Sequence, residues 1–428
     1  GDTSSIEKKK MTNPGFIVGG IILIIIAGVF NGSWNASFNP RANLAVGKSE
    51  SHSDSSSTPV NDLTYHHAFA LFQIYAVIIN IPICLYWAGG VQRVSAILAE
   101  TPPVSIFLVV IFSLIWGLGT LLFGIACKIA GVGLGTNLSM GIIAVIGAFL
   151  PLITENTLFS PFGGIVCVGL TICCIGLWFA TRALSQRDED ERLAKSRNEN
   201  GTDFPLSLDD VEEDSDFATS NNMDQEVTSR EKDPQKDEKK EYSTLQKFLV
   251  CLLTGATAVQ LQFAFIFGAP ITDLATGKKP AILPGRTPFG GSAVIIWLLA
   301  ISIGAPVAIV NGIVSSPVPL SQSLKAPWWR HVRLIATTSL PWISHIHIYG
   351  LCTTALLPEK VAASIAWPLL MMLTNLWALL LSKILGEWKV ASQRTVRTFV
   401  LSLGVTIVGL LVLMCSVVVP TNAEIEQV

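Results

Sequence analysis

The sequence predicts an all-α polytopic membrane protein, with ten transmembrane helices arranged as a five-plus-five inverted repeat. Three observations carry this reading. Half of the residues are hydrophobic and only 14% are charged, with a mean hydropathy of +0.53, a composition foreign to water-soluble domains. Apolar runs near 15–38, 66–89, 104–127, 133–153, 162–181, 245–268, 290–313, 331–353, 361–383 and 398–419 each approach the ~20 residues that a hydrocarbon core about 30 Å thick requires. The polar stretch 185–243 divides these runs five and five. An odd number of spans on each side of it turns the second five over relative to the first, as in carriers built from inverted repeats. The expected units are therefore 1–184, a first five-helix half; 185–243, a disordered charged linker; and 244–428, a second five-helix half.

The first run, "GFIVGGIILIIIAGVF", continues into "NGSWNASFNP". A basic stretch before an apolar one also outlines a signal peptide, but no small-x-small cleavage site follows it, so a retained helix is expected. Asn31, Trp34, Asn35 and Phe38 fall at i, i+3, i+4 and i+7 and share one helical face. Polar groups facing lipid are costly, so this face should look into the bundle. Carboxamides beside an indole suit a polyhydroxylated ligand, whose hydroxyls need donors and acceptors and whose ring needs a flat apolar surface. Asparagines that bind neighbouring helices together would read the same way.

The third and fourth runs include "GLGTLLFGIACKIAGVGLGTNLSMG". It has no GxxxxGK[ST] and no preceding strand, so its glycines serve close helix approach, not phosphate binding. Lys128 is expected to reach the interface with its amine, and Asn137 is the polar residue here placed at the site. The linker is dense in Asp, Glu, Lys and Ser and cannot bury enough apolar surface to order itself. In the sixth run Gln260 and Gln262 precede an aromatic cluster and Pro270, as Asn31 and Asn35 precede Pro40. The eighth run, "TTSLPWISHIHIYG", sets His345 on a face with Thr338, Trp342, Tyr349 and Cys352, and His347 on the far side. Trp342 followed by Tyr349-Gly350 repeats the spacing of Trp116 followed by Phe123-Gly124, where a five-plus-five duplication puts it.

Several function classes are excluded. Net charge is −2, so no nucleic-acid footprint exists. The eight cysteines lie in or beside apolar runs without ligand spacing, so no disulfide framework, metal or other cofactor is expected. No nucleophile-and-base set marks an enzyme. No central Lys or Arg awaits a phosphate, which favours an uncharged substrate over a nucleotide sugar. No central Asp or Glu is present either, which leaves His345 as the group able to carry a proton through the bilayer. Outside the linker and its flanks, ten basic residues lie on the linker's side (Lys325, Arg330, Arg333, Lys383, Lys389, Arg394 and Arg397 among them) against eight on the side of the termini (Arg93, Lys278, Lys279, Arg286, Lys360 and the lysines at 8–10). The charge rule then places the linker in the cytosol.

The segments "IWGLGTLLFGIACKIAGVGLGTNLSMGIIAVIGAFLPLI" and "LLSKILGEWKVASQRTVRTFVLSLGVTIVG", the latter with Gly386-Glu387-Trp388 and Gln393-Arg394, resemble the L-rhamnose/proton symporter family of the drug/metabolite transporter superfamily. The resemblance implies a ten-helix inverted-repeat carrier of a small polar metabolite, a sugar moved with a proton or other cation. The plasma membrane is expected in preference to an endomembrane. The long linker, the loops at 40–65 and 269–289 and "SHIHIYG" depart from that pattern. The expected substrate site comprises Asn31, Trp34, Asn35, Trp116, Asn137, Gln262, Trp342, His345 and Tyr349. A nucleotide-sugar or other organic-metabolite exchanger and a non-transporting sensor or scaffold are the alternatives.

Overall fold

The structure is a computed structural model that describes residues 14–36, 65–130, 132–199, 242–276, 293–357 and 361–418. Its α-helices are α1 (Pro14–Ala36), α2 (Tyr65–Ala88), α3 (Val91–Glu100), α4 (Pro103–Ala130), α5 (Val132–Thr154) and α6 (Pro161–Glu199), then α7 (Thr244–Ala258), α8 (Gln260–Phe267), α9 (Ala269–Thr276), α10 (Val294–Val314), α11 (Leu320–Leu324), α12 (Trp328–Leu334), α13 (Leu340–Leu351), α14 (Trp367–Ile384) and α15 (Gln393–Cys415). Among the described residues nine helices are long and apolar enough to cross a membrane, α7 and α8 together forming one of them. No strand occurs among these residues.

Local sequence sets the ends. Ser243 and Gln246 close a capping box on α7: the Gln246 N–H donates to Ser243 Oγ at 3.2 Å, and the Ser243 N–H to Gln246 Oε1 at 2.9 Å. Ser392 caps α15 by accepting from the Thr395 N–H, so the last span begins five residues before the expected 398.

Two expectations change. The eighth predicted span is helical from 328 to 356 but is not one regular helix: π-helical turns at Ile335–Ser339 and Cys352–Leu356 bracket α13. A third π turn, Ala362–Ala366, leads into α14. The expected linker also starts later than 185, because α6 continues to Glu199. Its polar end is rich in strong helix formers, and Lys195 pairs with Glu191 at i, i+4. This end docks on the turn before α15. Arg187 Nη1 donates to Glu387 Oε2 at 2.8 Å, while Asp190 Oδ2 accepts from the Ser392 N–H and the Thr395 hydroxyl, each at 2.8 Å. Beneath these bonds Ala180, Ala183, Leu184, Leu379, Trp388 and Phe399 form a small apolar cluster of their own.

The packing has a regular plan. α6 lies against α15 in the most extensive helix contact of the molecule, and α2 against α10 and α5 against α14. α1 lies against α13 and α14; α7 lies against α4 and α5. With 328–356 counted as one element, exchanging each of the first five long elements for the one five later maps every one of these pairs onto itself or onto another.

Candidate functional site

α1 contributes Asn31 and Trp34, both buried. Asn31 Oδ1 accepts from Trp34 Nε1 at 2.9 Å, and Asn31 Nδ2 donates to Thr374 Oγ1 on α14 at 3.1 Å. Both ends of the carboxamide are therefore engaged within the protein: one fixes the indole, the other ties α1 to α14. The Trp34 ring stacks on Phe72 of α2 with centroids 5.2 Å apart and meets Phe123 of α4 at 6.1 Å. Phe72 abuts Trp342 of α13 edge to face at 5.6 Å, and Trp342 lies parallel to Trp116 of α4, 12° and 5.9 Å apart. Such offset and T-shaped pairs are the favoured aromatic geometries. The Trp116 ring has room because residue 304 on α10 is glycine: a Cβ there would sit 2.5 Å from Trp116 Cε3.

This aromatic chain borders a cavity of ≈ 80 Å³, enough for several waters at roughly 10–15 Å³ each. Asn31, Trp34, Phe69, Gln73, Trp116, Thr120, Phe123, Met140, Ile143, Leu261, Trp342, His345, Trp367 and Met371 line it, from helices of both expected halves. His345 meets the Trp342 ring edge-on at 6.0 Å. None of the lining residues is Asp, Glu, Lys or Arg. The arrangement can hold a compact uncharged molecule between indole faces, with amide, hydroxyl and imidazole groups at its edges.

Of the residues expected at the site, Asn31, Trp34, Trp116, Trp342 and His345 come together here. Three do not. Asn137 Nδ2 donates to Leu177 O and Thr181 Oγ1 of α6, each at 3.2 Å, and its backbone carbonyl accepts from Asn375 Nδ2 at 3.3 Å, so it joins helices outside the lining. Gln262 and Tyr349 bond to each other, Tyr349 Oη donating to Gln262 Oε1 at 2.9 Å, one layer behind Trp367, whose ring Tyr349 meets at 5.3 Å. The Asn35 side chain lies outside the described residues. His347 faces away from His345, as its spacing requires, and bonds Asn80 Oδ1 of α2 through Nε2 at 3.0 Å. Among the described residues no group of His, Cys, Asp and Glu side chains is arranged to hold a metal ion.

Gln73, Thr120 and Trp367 line the cavity without having been expected there. For Gln73 a signal existed: it stands four residues after Phe69 in "AFALFQIYA", one helical turn on the same face.

Comparison with known proteins gives one distant match. Over 260 residues the chain is 23% identical to the L-rhamnose-proton symporter of Shigella dysenteriae serotype 1 (strain Sd197). The match takes in 57% of this chain and 66% of that relative, just under two thirds of its length. No family model matches the chain, and no solved structure does.

Proposed function

We propose that this protein is a secondary carrier that moves a small uncharged polar metabolite, a sugar, by alternating access around the aromatic cavity. The observation that carries the reading is the cavity itself, formed between helices of both halves and lined by indole rings and neutral polar side chains. The helix-pairing plan supports a five-plus-five inverted repeat, and the likeness to a sugar-proton symporter supports the substrate class and a coupled proton. A nucleotide sugar would bring a diphosphate into a lining without a cation, so the structure favours the neutral cargo. The test is uptake of labelled L-rhamnose and a panel of neutral sugars and other metabolites by liposomes carrying the purified protein. Uptake no greater than that of empty vesicles across the panel would favour a sensor or scaffold.

Proton coupling is assigned to His345, the titratable side chain of the lining. His345→Gln is expected to keep exchange of substrate across the liposome membrane and to lose accumulation driven by a pH gradient, since exchange needs only the binding site. A variant that still concentrates sugar with protons as the sole driving force would remove His345 from this role. The linker is assigned to the cytosol from the charge distribution. Protease added outside intact cells of the plasma membrane should then leave residues 200–241 uncut, and cleavage there would reverse the topology.

A further inference from the structure

Among the described residues three side chains that line the cavity each carry a buried polar atom without a hydrogen-bond partner: Gln73 Oε1 on α2, Trp367 Nε1 on α14 and His345 Nδ1 on α13. His345 is the group already assigned to the proton, which leaves Gln73 and Trp367. Both side chains are more than nine-tenths buried, at 2% and 4% exposure. Native proteins satisfy nearly all buried polar groups, so such exceptions mark places where water or a ligand completes the bonding. The other amide of the wall, Asn31, is already engaged at both ends, and the Thr120 hydroxyl donates to Gly117 O at 2.7 Å within its own helix. Of these polar groups of the wall, His345 aside, Gln73 and Trp367 are therefore the ones with a wholly unpaired atom.

The two atoms are opposite in sense. Gln73 Oε1 can only accept, and an indole N–H can only donate. The indole owes its position to Gly147 of α5: a Cβ there would meet Trp367 Cδ1 and would lie 2.9 Å from Nε1. Around them the wall is the apolar surface of Trp34, Trp116, Trp342 and Met371.

We infer that Gln73 and Trp367 are the polar anchors of the substrate, Gln73 Oε1 accepting from one ligand hydroxyl and Trp367 Nε1 donating to a second ligand oxygen. This deepens the transport reading and rests on it. It names the substrate as a compact polyol with one apolar face. A carboxylate or phosphate has no proton for Gln73 Oε1 and meets no cation, and an analogue lacking the hydroxyl leaves the amide unpaired, the mismatch that such sites reject most strongly.

Two conservative variants, Gln73→Leu and Trp367→Phe, test the assignment in purified protein, read by thermal melting without ligand and by binding and liposome uptake of L-rhamnose, D-mannitol and D-glucuronate. In the absence of sugar Gln73→Leu should melt at or above the wild-type temperature, because it removes a polar atom that had no partner at nearly equal volume; Trp367→Phe also trims a buried ring and is read by binding. Both should bind L-rhamnose or D-mannitol at least ~10-fold more weakly than wild type, the scale of one lost hydrogen bond to a buried group. D-glucuronate should bind neither variant nor wild type. A Gln73→Leu protein that melts well below wild type, with uptake falling in proportion to folded protein, would make Gln73 a packing residue and overturn the proposal. Unchanged sugar affinity in both variants would overturn it too, leaving those atoms to cavity water alone. If wild type binds none of the three probes, the sugar reading fails separately, and the melting comparison still decides whether Gln73 is an unpaired anchor.

Discussion

The hairpin of α4 and α5 and its counterpart from 328 to 384 furnish matching walls of the cavity, yet they are built differently. Trp116, Thr120 and Phe123 with Met140 and Ile143 face the cavity from the first; Trp342 and His345 with Trp367 and Met371 face it from the second. α4 and α5 are unbroken α-helices of 28 and 23 residues, whereas the second hairpin contains three π-helical turns. Proline alone does not cause them, because Pro82 and Pro306 lie within regular α2 and α10. At 335–339 a proline two residues on, Pro341, coincides with hydroxyls that turn back on the helix: Thr337 Oγ1 donates to Arg333 O and Thr338 Oγ1 to Leu334 O. At 352–356 Thr353 and Thr354 do the same to Tyr349 and Gly350. Hydroxyls that occupy i−4 carbonyls compete with the backbone N–H and bend helices, and a proline ring pushes the carbonyl four residues before it aside. Together they widen the turn. The turn at 362–366 precedes Pro368 in the same way. The first hairpin thus supplies a stiff wall and the second a wall with three places to yield.

The largest effect that could break this comparison concerns the paired tryptophans. Trp342 touches three rings, those of Trp116, Phe72 and His345, so Trp342→Ala should cost about 3–5 kcal/mol and abolish uptake. Trp116→Ala, on the regular hairpin with one ring partner, should cost less. Equal losses in a denaturation series in detergent would mean that the two walls are energetically alike.

Pro341→Ala sharpens the comparison. Restoring an N–H and removing the ring clash should stabilise the protein by as much as ~3 kcal/mol and slow uptake by stiffening α13. Faster amide exchange or unchanged uptake in that variant would refute the idea that the π turns are what moves. A smaller effect is expected for Asn31→Ala, which removes the acceptor of the Trp34 indole N–H and the tie from α1 to Thr374, whose hydroxyl keeps its bond to Leu370 O, at a cost of about 1–3 kcal/mol. Melting temperature and uptake should then fall together. Lost uptake with normal melting would instead give Asn31 a direct contact with the substrate.

Much of this was legible in the chain because the bilayer imposes length and hydropathy on every span. The repeated spacing of Trp116 with Phe123-Gly124 and Trp342 with Tyr349-Gly350 puts the two indoles at equivalent positions of a duplication, and the rings stack on each other. What escaped depends on partners distant in sequence. Asn31 looked free to bind a ligand because nothing in "NGSWNASF" tells that Thr374 will occupy its amide. Gln262 and Tyr349, 87 residues apart, bond to each other through Gln262 Oε1, and Asn137 commits its Nδ2 to α6. Gln73 showed the reverse: a single amide in an aromatic run that finds no mate. The end of α6 was misread because a charged segment poor in aromatics resembles a linker, although Arg187 and Asp190 lie on helical spacing and meet partners near residue 390, and Glu191 pairs with Lys195 one turn on.

That helix is 39 residues long, about 58 Å at 1.5 Å per residue, close to twice the hydrocarbon thickness of roughly 30 Å. Half of it therefore stands clear of the lipid as a stalk, clamped at Arg187 and Asp190 to the turn that begins α15. The stalk is a ready-made ruler. A spin label on exposed Ser196 would share the rigid frame of α6 and α15, so its distance to a label on α15 should stay constant through the proposed transport cycle, while its distance to a label on α13 reports how far the segmented wall travels.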